Sequence, residues 1–161
     1  MDQPRYFIKH IDTTHSRQCI LPVWKIDPDA RLPSYGSKGS AGLDIYANED
    51  GIIESGDFYT ISTGIAVAIP NGRYGRIACR SSLACLGIDV LGGVIDSDYR
   101  GELKIMLINH NSTNSYVYRK NDRIAQMIIE RCLCLEPVEM FTDRMIYETE
   151  RGENGFGSTG V

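Results

Sequence analysis

Long apolar runs are absent from this 161-residue chain. The longest, residues 65–69, has five residues, far below the 18 or so that a membrane-spanning helix needs. Basic runs are absent as well: no more than two Lys or Arg stand together. With 17 basic and 21 acidic residues the net charge is −4, so the chain lacks the footprint of a protein that grips DNA or RNA polymers. Near the start, Asp2 and Gln3 stand where a secretory signal needs a basic end and an apolar core, and export is not expected. His10, His15 and His110 have no companion at ligand spacing, and Cys132 and Cys134 are one residue apart, the wrong spacing for a zinc knuckle. Five cysteines, an odd number with no Cys-x-x-Cys pair, read as reduced thiols serving as small buried hydrophobes in an intracellular protein of cytoplasm or nucleus.

What is present is the composition of one globular domain, 42% apolar and 24% charged, over residues 1–161. Segments rich in β-branched and aromatic residues, at 6–11, 58–69, 74–78, 103–109 and 124–135, recur between Gly, Pro, Asn and Asp. That pattern predicts an all-β barrel or sandwich. Glu102 and Lys104 alternate with Leu103 and Ile105 before both faces turn apolar at Met106, Leu107 and Ile108, as in a strand that ends buried on both sides. Residues 81–87 read as a short helix, with serine able to cap its start and Gly87 able to end it in the left-handed conformation. Residues 91–102 read as a hairpin. The tail after Arg151 holds four glycines and should be flexible by itself.

Several side chains could carry chemistry, each beside an ordinary structural reading. Arg80, Ser81 and Ser82 bring a guanidinium fork and two hydroxyls to the helix start, a combination suited to phosphate, although a capped helix beside a surface arginine is the ordinary alternative. The tail offers Arg151, Ser158 and Thr159 among glycines, with Phe156 as a stacking face. Asp96, after an apolar triplet, would sit at the end of a buried strand where it could deprotonate a water, although an aspartate in such a stretch is more often a turn former; Asp98 and Arg100 read as a turn pair. Asp44 lies inside an apolar strand, and a buried arginine is its expected partner.

These pieces stand in a recognisable order: 41–47, Gly75-Arg76-Ile77-Ala78-Cys79-Arg80-Ser81-Ser82-Leu83-Ala84, 92–103, Asn121-Asp122-Arg123-Ile124-Ala125-Gln126-Met127-Ile128, and 151–160. The sequence resembles the trimeric dUTPase family across all five of its motifs, from about residue 33 to the end. The resemblance implies a jelly-roll-like β-barrel with one short helix, residues 1–32 as an N-terminal extension with the first strands, and 150–161 as a flexible C-terminal arm closing over the site. It implies a homotrimer with shared active sites and hydrolysis of dUTP to dUMP and pyrophosphate, which keeps uracil out of DNA and supplies dUMP for thymidylate synthesis. By the same carry-over Asp96 activates the attacking water, and Tyr99 packs on the deoxyribose and leaves no room for a 2′-hydroxyl. Gly93, Val94 and Lys104 read uracil through their backbone. Arg80, Ser81, Ser82 and Gln126 hold the phosphates, while Arg151, Phe156, Gly157, Ser158 and Thr159 close the site. Mg²⁺ is implied as cofactor, held by substrate phosphates and water rather than by direct protein ligands, with Asp44 in its outer shell.

Three positions depart from the family pattern: Ser82 and Asn121 stand where glycine is usual, and Cys79 where proline is frequent. Arg80-Ser81-Ser82-Leu83-Ala84 also resembles motif two of the dCTP deaminases, which share the fold. There the alignment puts Met106 at the catalytic glutamate and Cys85 at an essential arginine, and a methionine cannot shuttle protons. A nucleotide-gated binding module or a structural jelly roll are the non-enzymatic alternatives, and retention of Asp96, Tyr99, Gln126 and Arg151 argues against both.

Overall fold

The computed structural model describes residues 20–140 and 149. Along them run β1 (Val23–Lys25), β2 (Ser34–Tyr35), β3 (Leu43–Tyr46), β4 (Gly51–Ile53), β5 (Phe58–Ser62), β6 (Ile65–Val67), β7 (Arg73–Ala78), α1 (Ser81–Ala84), β8 (Ile88–Leu91), β9 (Val94–Ile95), β10 (Lys104–Asn109), β11 (Tyr116–Tyr118) and β12 (Arg123–Arg131). All strand pairs are antiparallel. A five-stranded sheet has the order β2-β3-β12-β7-β9, a three-stranded sheet the order β5-β10-β8, and β1-β6 and β11-β4 form two further pairs. The all-β reading of the sequence therefore holds.

Inward residues at every second position build the core. Ile61 on β5 faces Ile105 on β10 in register, Leu107 follows two residues later, and all three are buried with Ile45, Ile124 and Met127. Burying each such side chain contributes roughly 1.5–3 kcal/mol against leaving it in water. Asn109 ends β10 inside the protein, and its amide is satisfied: Nδ2 donates to the carbonyls of Ile53 at 3.0 Å and Asn114 at 2.8 Å, and Oδ1 accepts the Asn111 amide at 3.0 Å.

Several local expectations need correction. The run 58–69 is two strands, because Gly64 takes φ +67° and its carbonyl accepts the amides of Ile26 and Asp27. A Cβ on Gly64 would come within 2.8 Å of both Ala30 Cβ and Asn48 Nδ2, so the turn is tightly enclosed. The run 124–135 forms strand only to Arg131. Met106 and Ile108 remain half-buried, so the second face of β10 stays partly open in the single chain. Residues 91–102 do not form a hairpin with each other: Gly92 (φ +78°) and Gly93 (φ +64°) turn the chain from β8, which pairs with β10, to β9, which pairs with β7. The four described cysteines are not fully buried either. Cys79 is half-buried and Cys85, Cys132 and Cys134 are exposed in the chain, because they lie at strand and helix ends rather than on inward positions. The segment 6–11 and Cys19 lie outside the described residues.

Candidate active site

Strand β12 sits between β3 and β7, and Gln126 is the register partner of both Asp44 and Ala78. This row brings residues from three distant parts of the sequence to one place. Gln126 Nε2 donates to the carbonyl of Cys79 at 3.0 Å, and the close fit depends on Gly42, where a Cβ would lie 2.7 Å from Gln126 Oε1. The next residue, Arg80, has extended backbone and donates from Nε to Asp44 Oδ1 at 3.0 Å. Asp44 is buried, so its predicted arginine partner is found, and Arg123 Nη1 approaches the other carboxylate oxygen at 3.5 Å.

Helix α1 begins directly after Arg80. The helix is shorter than 81–87, and no serine caps it: the N-cap is Arg80, without a side-chain cap bond, and its carbonyl accepts the amides of Leu83 and Ala84. Ser81 and Ser82 therefore lie in the first turn with exposed hydroxyls, while Leu83 anchors the helix to the core. Gly87 follows at φ +79°, as expected. Asp44, Arg80, Ser81, Ser82, Arg123 and Gln126 line one cleft of about 320 Å³, with Gly36, Ser40 and Gly42 completing its wall. Arg123, Ser40 and Gly42 carried no signal strong enough to be singled out in the sequence; Arg123 in particular is an odd number of positions from Gln126 and so reads as facing the other way.

A second cleft, of about 160 Å³, is lined by Val94, Ile95, Asp96, Tyr99, Glu102 and Lys104. Gly93 faces the body of the protein: its carbonyl accepts the Ile77 amide at 2.7 Å, and a Cβ would meet the Ile77 carbonyl oxygen at 2.9 Å. After β9 the chain turns with the Tyr99 amide donating to the Asp96 carbonyl at 3.2 Å. Asp96 is exposed rather than held at the end of a buried strand, because β9 is only two residues long and lies at the edge of its sheet. Arg100 closes the turn by donating to the carbonyls of Ser97 and Tyr99, not by pairing with Asp98. The Tyr99 hydroxyl donates to the Glu102 carbonyl at 2.9 Å, and its ring crosses Gly101, where a Cβ would lie 2.5 Å from that hydroxyl. Burial pushes the Glu102 carboxyl up, but the Ser62 hydroxyl, the Gly64 amide at 2.9 Å and the Lys104 ammonium at 3.8 Å outweigh it and lower its pKa. The two sets of residues line separate clefts, while Arg151, Phe156, Gly157, Ser158 and Thr159 lie outside the described residues.

The dUTPase family model matches residues 28–160. The chain belongs to the dUTPase family. The deoxyuridine 5'-triphosphate nucleotidohydrolase of Paramecium bursaria Chlorella virus 1 is 47% identical over 142 residues, covering 88% of this chain and 98% of that protein. The corresponding enzyme of Fowlpox virus is 48% identical, covering 88% and 97%. Among solved structures, the dUTPase of Staphylococcus bacteriophage 80alpha with dUPNHPP superposes with a TM-score of 0.79 at 29% identity, covering 89% of this chain and 99% of that one. A dUTPase of phage phi11 of S. aureus, in a structure detailing coordination of a structural Mg(II) ion, shares the fold at 24% identity and a TM-score of 0.71, covering 77% and 98%. The jelly-roll-like fold is that of the dUTPases.

Two of the family departures acquire a physical reason. Asn121 has φ +72°, the left-handed conformation that explains the usual glycine and that asparagine tolerates better than most residues. The single S–H of Cys79 is shared between the carbonyls of Ile88 at 3.1 Å and Arg80 at 3.4 Å, tying the end of β7 to β8; burial raises its pKa and keeps it a thiol. At Ser82, the hydroxyl accepts from Arg80 Nη1 at 3.4 Å, a contact that glycine could not make.

Proposed function

We propose that the chain hydrolyses dUTP to dUMP and pyrophosphate with Mg²⁺, as a homotrimer whose sites join clefts from neighbouring subunits. The observation that carries this reading is that a chain of the dUTPase family places an Arg80–Asp44 pair, flanked by the Ser81 and Ser82 hydroxyls and Gln126, in one cleft and an exposed Asp96 beside Tyr99 in another.

Arg80, Ser81, Ser82 and Gln126 bind the phosphate chain, their donors facing oxygens that carry negative charge. Tyr99, held by its bond to the Glu102 carbonyl, packs on the deoxyribose and rejects a 2′-hydroxyl by contact. The backbone of Gly93, Val94 and Lys104 reads the uracil edge. Asp96 accepts a proton from water as the water oxygen bonds to the α-phosphorus; the bond from that phosphorus to the bridging oxygen breaks, and pyrophosphate leaves with the electron pair. Because little covalent help is needed, most of the acceleration comes from positioning and charge. Arg151, Phe156, Gly157, Ser158 and Thr159 close over the nucleotide and exclude water.

The donor set fits Mg²⁺ held mainly by the substrate. Asp44 is the one carboxylate lining the phosphate cleft and its oxygens face two guanidinium groups, so it suits an outer-shell contact to metal-bound water, with phosphates and water as direct ligands. When bound, the ion neutralises charge on the triphosphate.

Incubating the protein with Mg²⁺ and each of dUTP, dCTP, dTTP and UTP, with pyrophosphate and ammonia assayed in parallel, tests the proposal. Pyrophosphate from dUTP alone is expected; ammonia from dCTP, or silence in both channels, would overturn it.

A further inference from the structure

Tyr99 stands in the turn 96–101, of which residues 98–101 are all exposed, and 44% of its own surface is open. An aromatic ring in such a place yields under contact unless something outside the turn holds it. Its amide donates to the Asp96 carbonyl at 3.2 Å and its carbonyl accepts from Arg100 at 2.8 Å, both within the turn. Its hydroxyl alone reaches out of the turn among the described residues, to the Glu102 carbonyl at 2.9 Å. How firmly the ring stands therefore depends on how firmly residue 102 is fixed.

Residue 102 is fixed through its side chain. Glu102 Oε1 accepts from the Ser62 hydroxyl and from the Gly64 amide at 2.9 Å, while Oε2 faces the Lys104 ammonium at 3.8 Å. The adjoining main-chain bonds belong to the next residue: the Leu103 amide donates to Ile65, and the Leu103 carbonyl accepts from the Thr63 hydroxyl. The support is itself braced, since the Gly64 carbonyl accepts the amides of Ile26 and Asp27, and the Asp27 carboxylate accepts from Asn48 at 2.7 Å. Glu102 thus links a turn anchored in the body of the protein to a ring in an exposed one, and both residues line the same cleft. An ionised carboxylate suits that place because it only accepts, and its neighbours here are two donors and an ammonium.

We propose that Glu102 is a positioning residue for sugar discrimination. By gripping Ser62 and Gly64 it fixes the carbonyl that holds the Tyr99 hydroxyl, and so gives the ring the stiffness with which it excludes a 2′-hydroxyl. A ring free to retreat admits ribose; a fixed one does not. This inference rests on the proposed hydrolysis of dUTP and specifies what sets its selectivity for the sugar.

The test compares the full-length protein with Glu102→Ala, Glu102→Gln, Tyr99→Phe and the double variant Glu102→Ala/Tyr99→Phe. It measures kcat/KM for dUTP and for UTP, and the thermal midpoint of each protein. Glu102→Ala is expected to lower the ratio of dUTP to UTP about tenfold, the effect of losing one hydrogen-bonded anchor, chiefly through better use of UTP. Glu102→Gln retains an acceptor for Ser62 and Gly64, so it should keep the ratio even where it loses thermal stability. Tyr99→Phe cuts the same link at its other end, and the double variant should therefore be no less selective than either single one. A merely structural role would lower the midpoint and both kcat/KM values together, leaving the ratio unchanged. An unchanged ratio in Glu102→Ala, a loss in Glu102→Gln as deep as in Glu102→Ala, or additive losses in the double variant would each overturn the proposal. Should Glu102→Ala not fold, Ser62→Ala, which removes one donor and leaves Glu102 in place, enters the same comparison. If the wild type failed to turn over dUTP, calorimetric binding of dUMP and UMP would still decide. A preference for dUMP that Glu102→Ala loses supports the role of Glu102; a preference that survives, or a wild type with none, rejects it.

Discussion

Among the described residues Tyr118 heads the fully enclosed side chains by volume, and its hydroxyl is buried without a hydrogen-bond partner among them. Burial, the largest influence, and nearby acidic groups push its pKa up to about 12. A buried hydroxyl with no partner costs about 1–3 kcal/mol in lost hydration. Tyr118→Phe should therefore stabilise the protein by about 1 kcal/mol, read as a higher thermal midpoint; a lower midpoint would mean that the hydroxyl has a partner after all. Asp96 is the contrasting case, an exposed carboxylate whose value lies in chemistry rather than packing. Asp96→Asn keeps the shape and removes the base, so nucleotide binding should survive while turnover falls by orders of magnitude. Retained turnover would remove Asp96 from the mechanism.

Between β5 and β6 the Gly64 turn is fastened to the segment leading into β10. The Leu103 amide donates to the Ile65 carbonyl at 2.8 Å, the Thr63 hydroxyl donates to the Leu103 carbonyl, and Glu102 accepts from Ser62 and Gly64. Since the Glu102 pKa is lowered on folding, its contribution to stability is fully present above the ordinary glutamate value of about 4.3 and is lost as pH falls through the depressed value. Glu102→Gln should thus lower the thermal midpoint at neutral pH, and the gap to wild type should close on acidification through that range. A gap constant from pH 7 to pH 3 would show that the carboxylate charge plays no part in holding these elements together. A bulge at the start of β12 acts on the same scale: one irregular step decides that Arg123 and Gln126 share a face.

At the scale of the whole molecule, the single chain exposes large apolar side chains, among them Phe58 (61%), Val117 (61%) and Leu133 (86%), and divides its site residues between two clefts. Both features fit a symmetric assembly that buries apolar surface and joins one chain's phosphate cleft to another's nucleoside cleft. The protein should run in solution at three times the 18.0 kDa chain mass. Arg80→Ala and Asp96→Asn should each be nearly inactive, yet mixed trimers made by refolding the two together should regain activity. Such rescue requires that the two clefts of one site come from different chains, and its absence would refute the shared-site arrangement.

Much of this was legible in the sequence because it depends on local spacing and residue chemistry. Alternation at Leu103, Ile105 and Leu107 announces a strand, Gly87 a left-handed turn, and the ordered motifs a family. A carboxylate within an apolar strand demanded a partner, and Asp44 has one. Where local rules were followed alone, they failed wherever the deciding contact was distant in sequence. The Gly64 turn divides one apolar run because residues 26 and 27 bind its carbonyl, and the apparent hairpin at 91–102 opens because β9 finds β7 instead of β8. Ser81 and Ser82 stay free of capping because Arg80 takes the cap position while its side chain is held by Asp44. The sequence by itself determined the strand-rich class, the family and the kinds of group the site contains. Only the tertiary structure decided which of them share a cleft, because strand register and a single bulge, both set by pairing across the sheet, choose the face on which each side chain emerges.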